Sequence, residues 1–93
     1  MNNWRGERAE NIIQQELAMI LARMVGPEFG ITTVSRVEIS GDRKNAAVFM
    51  SCFEPEKEKE LLKWLNKNAA LIYQTLSQNV RIKYLPRLEF KKE

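Results

Sequence analysis

Between Pro55 and Ser77, Leu61, Leu65, Ala69, Ile72 and Leu76 recur at three- and four-residue spacing, which is one helical stripe. At about 24 residues the run is long for a chain of this size, where helices usually span roughly 10–14. Asn68-Ala69-Ala70 stands in its middle, a polar residue followed by two small ones. The pattern therefore predicts two helices that meet at a bend between residues 68 and 70. A connection of this length between extended stretches is a crossover rather than a hairpin, so the sheet it serves is expected to be mixed.

The elements around that pair are legible. A first helix is expected from a cap near Asn3 to Met24, with Ala9, Ile13, Leu17, Ile20, Leu21 and Met24 on one face. Gly26-Pro27 stops it, and Gly30 marks a second turn. Ile31–Ser40, rich in Thr, Val and Ile, reads as a strand. Strict alternation there puts Thr33, Ser35, Val37 and Ile39 on one face and Val34, Arg36 and Glu38 on the other. The polar turn Ser40–Asn45 carries Gly41 and Asn45 for unusual backbone angles and leads to a second strand, Ala46–Phe53. Ala46, Val48, Met50 and Cys52 share one side of it. Pro55 suits the first helical turn, and Glu54, Glu56, Glu58 and Glu60 suit its positive end.

After the helix pair, Arg81–Phe90 alternates again. Arg81, Lys83 and Arg87 fall on one face of an extended chain, and Ile82, Tyr84, Leu88 and Phe90 on the other. This register buries the apolar set and turns cations outward. The resulting order, α-β-β-α-α-β with a kinked helix pair on one face of a three-stranded mixed sheet, is an α+β arrangement of type II KH-like form. The 93 residues suffice for one domain with its own core.

Charge is unevenly spread. Residues 61–92 hold seven Lys and Arg against Glu89 alone, although the net charge is only +3. A concentrated positive field points to a polyanion surface or to a solubilising one. The chain has one cysteine, Cys52, and no histidine, so zinc binding and histidine acid–base catalysis are not expected. Ser40-Gly41-Asp42 reads as a strand exit rather than a nucleophile with its carboxylate. No phosphate-cradling glycine loop occurs, and no cofactor is expected. No apolar stretch approaches a membrane span, and the cytoplasm is the expected compartment. Trp64 belongs to the core or its rim. Trp4 either stacks on a base or packs on the sheet edge. Phe49 is either a stacking platform or an aromatic cover for neighbouring strands.

Several segments together resemble the bacterial ribosome-binding factor A family. They are Arg5-x-x-Arg8 with Ile12, Glu16-Leu17 and Leu21; Gly26-Pro27-Glu28-Phe29-Gly30; Thr33-Val34-Ser35-Arg36-Val37-Glu38-Ile39-Ser40-x-Asp42; Ala46-x-Val48-Phe49-x-Ser51; and Pro86-x-Leu88-x-Phe90. The resemblance implies a non-enzymatic assembly factor that binds free or precursor 30S subunits through 16S rRNA and promotes maturation of its 5′ end. Family members often carry glycine where this chain has Ala70 and a basic residue where it has Tyr73. They usually continue past the third strand into a polar tail, whose role is expected to be absent or minimal here. Ordinary KH domains grip nucleic acid with a Gly-x-x-Gly loop, and the glycines of this chain (Gly6, Gly26, Gly30 and Gly41) do not form one.

The expected RNA contacts are the cations Arg43, Lys44, Lys63, Lys67, Arg81, Lys83 and Arg87, with Arg5 and Arg8 as a second group. They are expected to hold phosphates rather than read bases. The protein is expected to act as a monomer. The alternative is a protein–protein adaptor that docks through the uncovered sheet face. Salt dependence separates the two, since only phosphate binding weakens steeply with salt.

Overall fold

In the structure, a computed structural model, the backbone is described for residues 4–93 and side chains from Arg8 onward; the Asn3 cap lies outside the described residues. The elements are α1 (Trp4–Met24), β1 (Thr32–Ile39), β2 (Asn45–Cys52), α2 (Glu58–Lys67), α3 (Ala69–Asn79) and β3 (Arg87–Lys92). Short 3-10 turns at Pro27–Phe29 and Pro55–Lys57 introduce β1 and α2. This is the expected α-β-β-α-α-β order. β2 is central, antiparallel to β1 and parallel to β3, so the sheet is mixed as the crossover length requires.

The bend falls on Asn68, which alone separates α2 from α3 (φ −102°, ψ 14°). Its N–H reaches back to the carbonyls of Trp64 and Leu65 at 3.0 and 3.2 Å, and its Nδ2 donates to the Trp64 carbonyl at 2.8 Å. The side chain thus holds the end of α2 while the backbone turns away. Leu61 and Leu65 before the bend and Ile72 and Leu76 after it are all fully buried. One apolar stripe therefore continues onto the sheet through a change of helix direction. It meets Ile13, Leu17, Ile20 and Leu21 of α1 and Val48, Met50, Leu88 and Phe90 of the sheet in one core. Trp64 sits at the rim, its ring 6.2 Å from that of Phe29.

Two strand expectations need correction. In β1, Val34 and Val37 are both buried although three residues apart. A bulge between Val34 and Arg36 inserts one residue against β2, which breaks the strict alternation of faces. Gln14 of α1 holds the bulge, its Nε2 donating to the carbonyls of Val34 and Ser35, each at 3.1 Å. At the other end of the chain the third strand begins at Arg87, not Arg81. Its parallel partner β2 begins at Asn45, paired with Arg87, so residues 81–86 have nothing to pair with. Pro86, which lacks an N–H, stands at the join. Tyr84, expected on the core side, is 76 % exposed.

Helix side chains also occupy the sheet's outer edges. Glu10 of α1 accepts the Ile39 N–H at 2.8 Å along β1, and Asn66 of α2 bonds both backbone groups of Phe90 along β3. Unpaired edges are sites of unwanted strand pairing, and these contacts close part of both.

Candidate nucleic-acid interface

The parallel pairing of β2 with β3 brings two loops to one end of the sheet. The β1–β2 turn precedes Asn45, the loop 80–86 precedes Arg87, and the Lys44 carbonyl accepts the Arg87 N–H at 2.9 Å. The helix bend lies over the same end. Between the bend and β3 runs an open groove of about 820 Å³. Ala69, Ala70, Leu85 and Leu88 give it apolar walls; Lys44, Asn45, Arg87 and Glu89 give it polar ones.

The turn that carries Arg43 and Lys44 is tightly organised. Ser40 N–H donates to the Asn45 carbonyl at 2.8 Å, and Arg43 N–H to the Ser40 carbonyl at 2.9 Å. Asp42 Oδ1 accepts from Ser40 Oγ at 2.6 Å and from the Lys44 N–H at 3.0 Å. Ser40 Oγ in turn accepts the Asn45 N–H at 3.1 Å. The hydrogen bond from Ser40, followed by that from Lys44, holds the Asp42 carboxyl below the usual carboxylate range. Ser40 and Asp42 are thus partners in a turn. The left-handed residue is neither Gly41 nor Asn45 but Arg43, at φ 64°. For a side chain of this size that conformation costs on the order of 1 kcal/mol.

The cations named from sequence do not all fall together. Lys44 and Arg87 line the groove. Arg43 lines a smaller adjoining cleft with Ala9, Ile39, Ile82, Tyr84 and Pro86. Arg8, exposed, precedes Ala9 of that cleft. Lys67 is the last residue of α2, next to the bend, and Lys63 is one turn back; both are exposed. Arg81 and Lys83 are exposed in the loop rather than on a strand face. The Arg5 and Trp4 side chains lie outside the described residues. Lys91 and Lys92, which swell the charge count of the C-terminal third, sit at the opposite end of β3 beside Glu89 (3.7 Å) and Glu58 (3.6 Å). The basic end is therefore smaller than the sequence count implies.

Tyr84 is the residue that the alternating pattern concealed. It is an exposed aromatic in the basic loop, with the Lys83 ammonium 5.4 Å from its ring centroid. Pro86 was the available signal, because it ends the ladder before Tyr84 can join a strand. Phe49 has the opposite character. It is half-buried on the uncovered sheet face, with the Arg36 guanidinium 4.0 Å from its ring centroid, and Arg36 also pairs with Glu38 and Glu93. One face of that ring is already covered, and the guanidinium that covers it is itself paired with two acids. Cys52 is half-buried, its thiol donating to the Phe29 carbonyl at 3.4 Å. Among the described residues no cluster of His, Cys, Asp or Glu is arranged to hold a metal, and no helix is long and apolar enough to cross a membrane.

Comparison with known proteins brings in a family. The family model described as ribosome-binding factor A matches residues 5–93. The chain is 37% identical over 87 residues to ribosome-binding factor A of Coxiella burnetii (strain Dugway 5J108-111), covering 92% of this chain and 73% of that one. The crystal structure of ribosome-binding factor A from Thermus thermophilus superposes with a TM-score of 0.84 at 26% identity, covering 94% of both chains. A homology model of the Thermus thermophilus factor, fitted into a cryo-electron-microscopy map of its complex with the 30S subunit, matches with a TM-score of 0.74 at 28% identity, covering 86% of each.

Proposed function

The chain belongs to the ribosome-binding factor A family, and from that premise we propose that it binds free or precursor 30S subunits through 16S rRNA. In this reading it promotes maturation of the 16S rRNA 5′ end by holding RNA in place, without catalysis and without a cofactor. It acts in the cytoplasm as a monomer, through one KH-like domain over residues 1–93. The observation that carries the reading is the convergence of Lys44 and Arg87 on an open groove at the helix bend, with Arg43 in the smaller cleft beside it. Lys67, Lys63, Arg81, Lys83 and Arg8 extend the positive surface around it, with Arg5 assigned to the same role.

The chemistry of such a surface is positional. Lysine and arginine bind phosphate oxygens, fix the orientation of a strand and carry no sequence information. A Thermus thermophilus relative has been fitted into a map of a 30S complex, which supports the same partner here. Cosedimentation of the purified protein with 30S subunits tests the reading directly. Retention on the subunit that weakens steeply with salt is expected. Absence of cosedimentation, or cleavage of precursor rRNA by the protein alone, refutes it.

A further inference from the structure

Resting on the rRNA-binding reading above, we infer that Tyr84 is a stacking platform for an unpaired RNA base, and that Arg43 across its cleft takes the adjoining phosphate. Among the described side chains, two aromatics stand far out of the surface, Phe53 at 77 % and Tyr84 at 76 %. They mark opposite ends of the sheet, because Phe53 follows the end of β2 and Tyr84 precedes the start of β3, its parallel partner. Phe53 is followed by Glu54 and Glu56, surroundings that repel a polyanion. Tyr84 has Lys83 beside its ring, Arg81 and Arg87 within three residues, and Arg43 lining the same cleft. Electrostatics therefore select Tyr84 as the aromatic that meets RNA.

The ring is also presented rather than loosely attached. The loop is anchored on both sides of it: Val80 N–H bonds the Leu76 carbonyl at 3.1 Å, and the Tyr73 hydroxyl donates to the Leu85 carbonyl at 2.9 Å. Pro86 is buried, and Arg87 N–H is held by Lys44. A platform fixed before binding loses little freedom on binding. Arg43 faces it from a turn whose hydrogen bonds hold that residue in a left-handed conformation. Such strain is typical of positions kept for binding rather than for stability. Every base has a flat π-face, so this contact needs no base-reading loop.

The test uses the full chain with a single-stranded RNA 12-mer, an RNA duplex of equal phosphate number, and 30S subunits. Tyr84→Ala is expected to weaken single-strand binding by about 5- to 100-fold and to leave duplex binding within twofold. Tyr84→Phe is expected to bind as the unaltered protein does. The salt slope should stay unchanged in Tyr84→Ala, since stacking releases no counterions, but fall by roughly 0.7 in Arg43→Ala. Tyr84→Ala that binds the 12-mer and 30S subunits normally overturns the inference. So does an equal loss on both RNAs with a flattened slope, which would mean that Tyr84 only places Lys83. A Tyr84-dependent 12-mer complex without 30S binding refutes the assembly reading and keeps the platform. Normal binding of both the 12-mer and 30S subunits by Tyr84→Ala does the reverse. If the chain binds 30S subunits but no free RNA, loss of 30S binding in Tyr84→Ala with rescue by Tyr84→Phe decides the matter. If it binds none of the three, both readings fall.

Discussion

The side-chain amide of Asn66 replaces a neighbouring strand for Phe90. Its Nδ2 donates to the Phe90 carbonyl and its Oδ1 accepts the Phe90 N–H, both at 3.1 Å. One α2 residue thus satisfies both outward-facing backbone groups at the middle of an edge strand, and ties the helix before the bend to β3. Asn66 also lines the groove, as does Leu88 two residues before Phe90, so the contact lies beside the groove wall.

Replacing Asn66 with alanine is expected to destabilise the fold by about 1–2 kcal/mol, the lower part of the range for an abandoned polar pair, because water can reach this edge. For a chain of this size that lowers Tm by roughly 4–8 °C per kcal/mol. Asn66→Asp keeps the volume but removes the donor and sets a carboxylate against a carbonyl oxygen, so it should be no better than alanine. Thermal melts of both variants decide this, and an Asn66→Asp protein as stable as the original would show that the pair contributes little.

The bend was legible because two independent signals coincide at Asn68. The helical phase is too long for one helix, and the one polar residue followed by two small ones marks where it can break. The loop at 81–86 was not legible, because alternation reports only what a strand would bury. It says nothing about whether a partner strand extends far enough, and β2 begins only at Asn45. Misplacing that boundary carried Tyr84 to the core side. The bulge at Ser35 was hidden for a related reason: Gln14, which holds it, is 20 residues away from Val34 along the chain. Arg36 over Phe49 was equally invisible, since only the shifted register after the bulge puts those two residues opposite each other. The groove depends on the Lys44–Arg87 contact, which joins residues from two loops, and neither loop signals the other.

Arg36→Ala separates the open sheet face from the basic end. Removing the guanidinium takes away the Phe49 contact and the pairs with Glu38 and Glu93, all at an exposed site. The expected loss is about 0.5–1 kcal/mol of stability, since exposed ion pairs and cation–π contacts are each small. Binding to 30S subunits should be unchanged. If Phe49 is itself an RNA platform, uncovering it strengthens single-strand binding instead, and a titration distinguishes these outcomes.

Asp42 is expected to aid binding despite its negative charge. Its carboxylate ties the Ser40 hydroxyl to the Lys44 N–H and so fixes the backbone that carries Arg43 and Lys44. Simple electrostatics predicts tighter RNA binding when an acid is removed, whereas loss of the turn predicts weaker binding. Asp42→Ala should bind 30S subunits about 3- to 10-fold more weakly, the scale of a lost hydrogen bond or two. Asp42→Asn, which keeps an acceptor at Oδ1, should lose less. The pH dependence has a definite sign. The carboxyl's folded value is depressed, so its contribution is complete above the unfolded value and is lost as pH falls through the folded one. Between about pH 5 and 7 stability should be flat, because the chain has no histidine. A stability transition in that window would contradict this assignment.

The sharpest test of the interface compares two variants with the same change in net charge. Lys44→Ala with Arg87→Ala removes two cations from the groove; Lys91→Ala with Lys92→Ala removes two from the far end, where each has an acidic neighbour. All four residues are exposed, and the Lys44–Arg87 link runs through the backbone, so both double variants should fold. If phosphates are held at the groove, the first variant flattens the salt slope of 30S binding by roughly 1.5, since each phosphate contact adds about 0.7–0.9. Adding Arg81→Ala and Lys83→Ala should flatten it further, by up to about the same amount. The Lys91/Lys92 variant should keep the original slope, because those ammonium groups lie at the end of β3 away from the groove. Equal flattening in both would mean that binding follows total charge rather than its placement, and the groove would lose its claim as the RNA surface. An unchanged slope in the first variant alone would move the phosphate contacts to Arg5 and Arg8, at the start of α1.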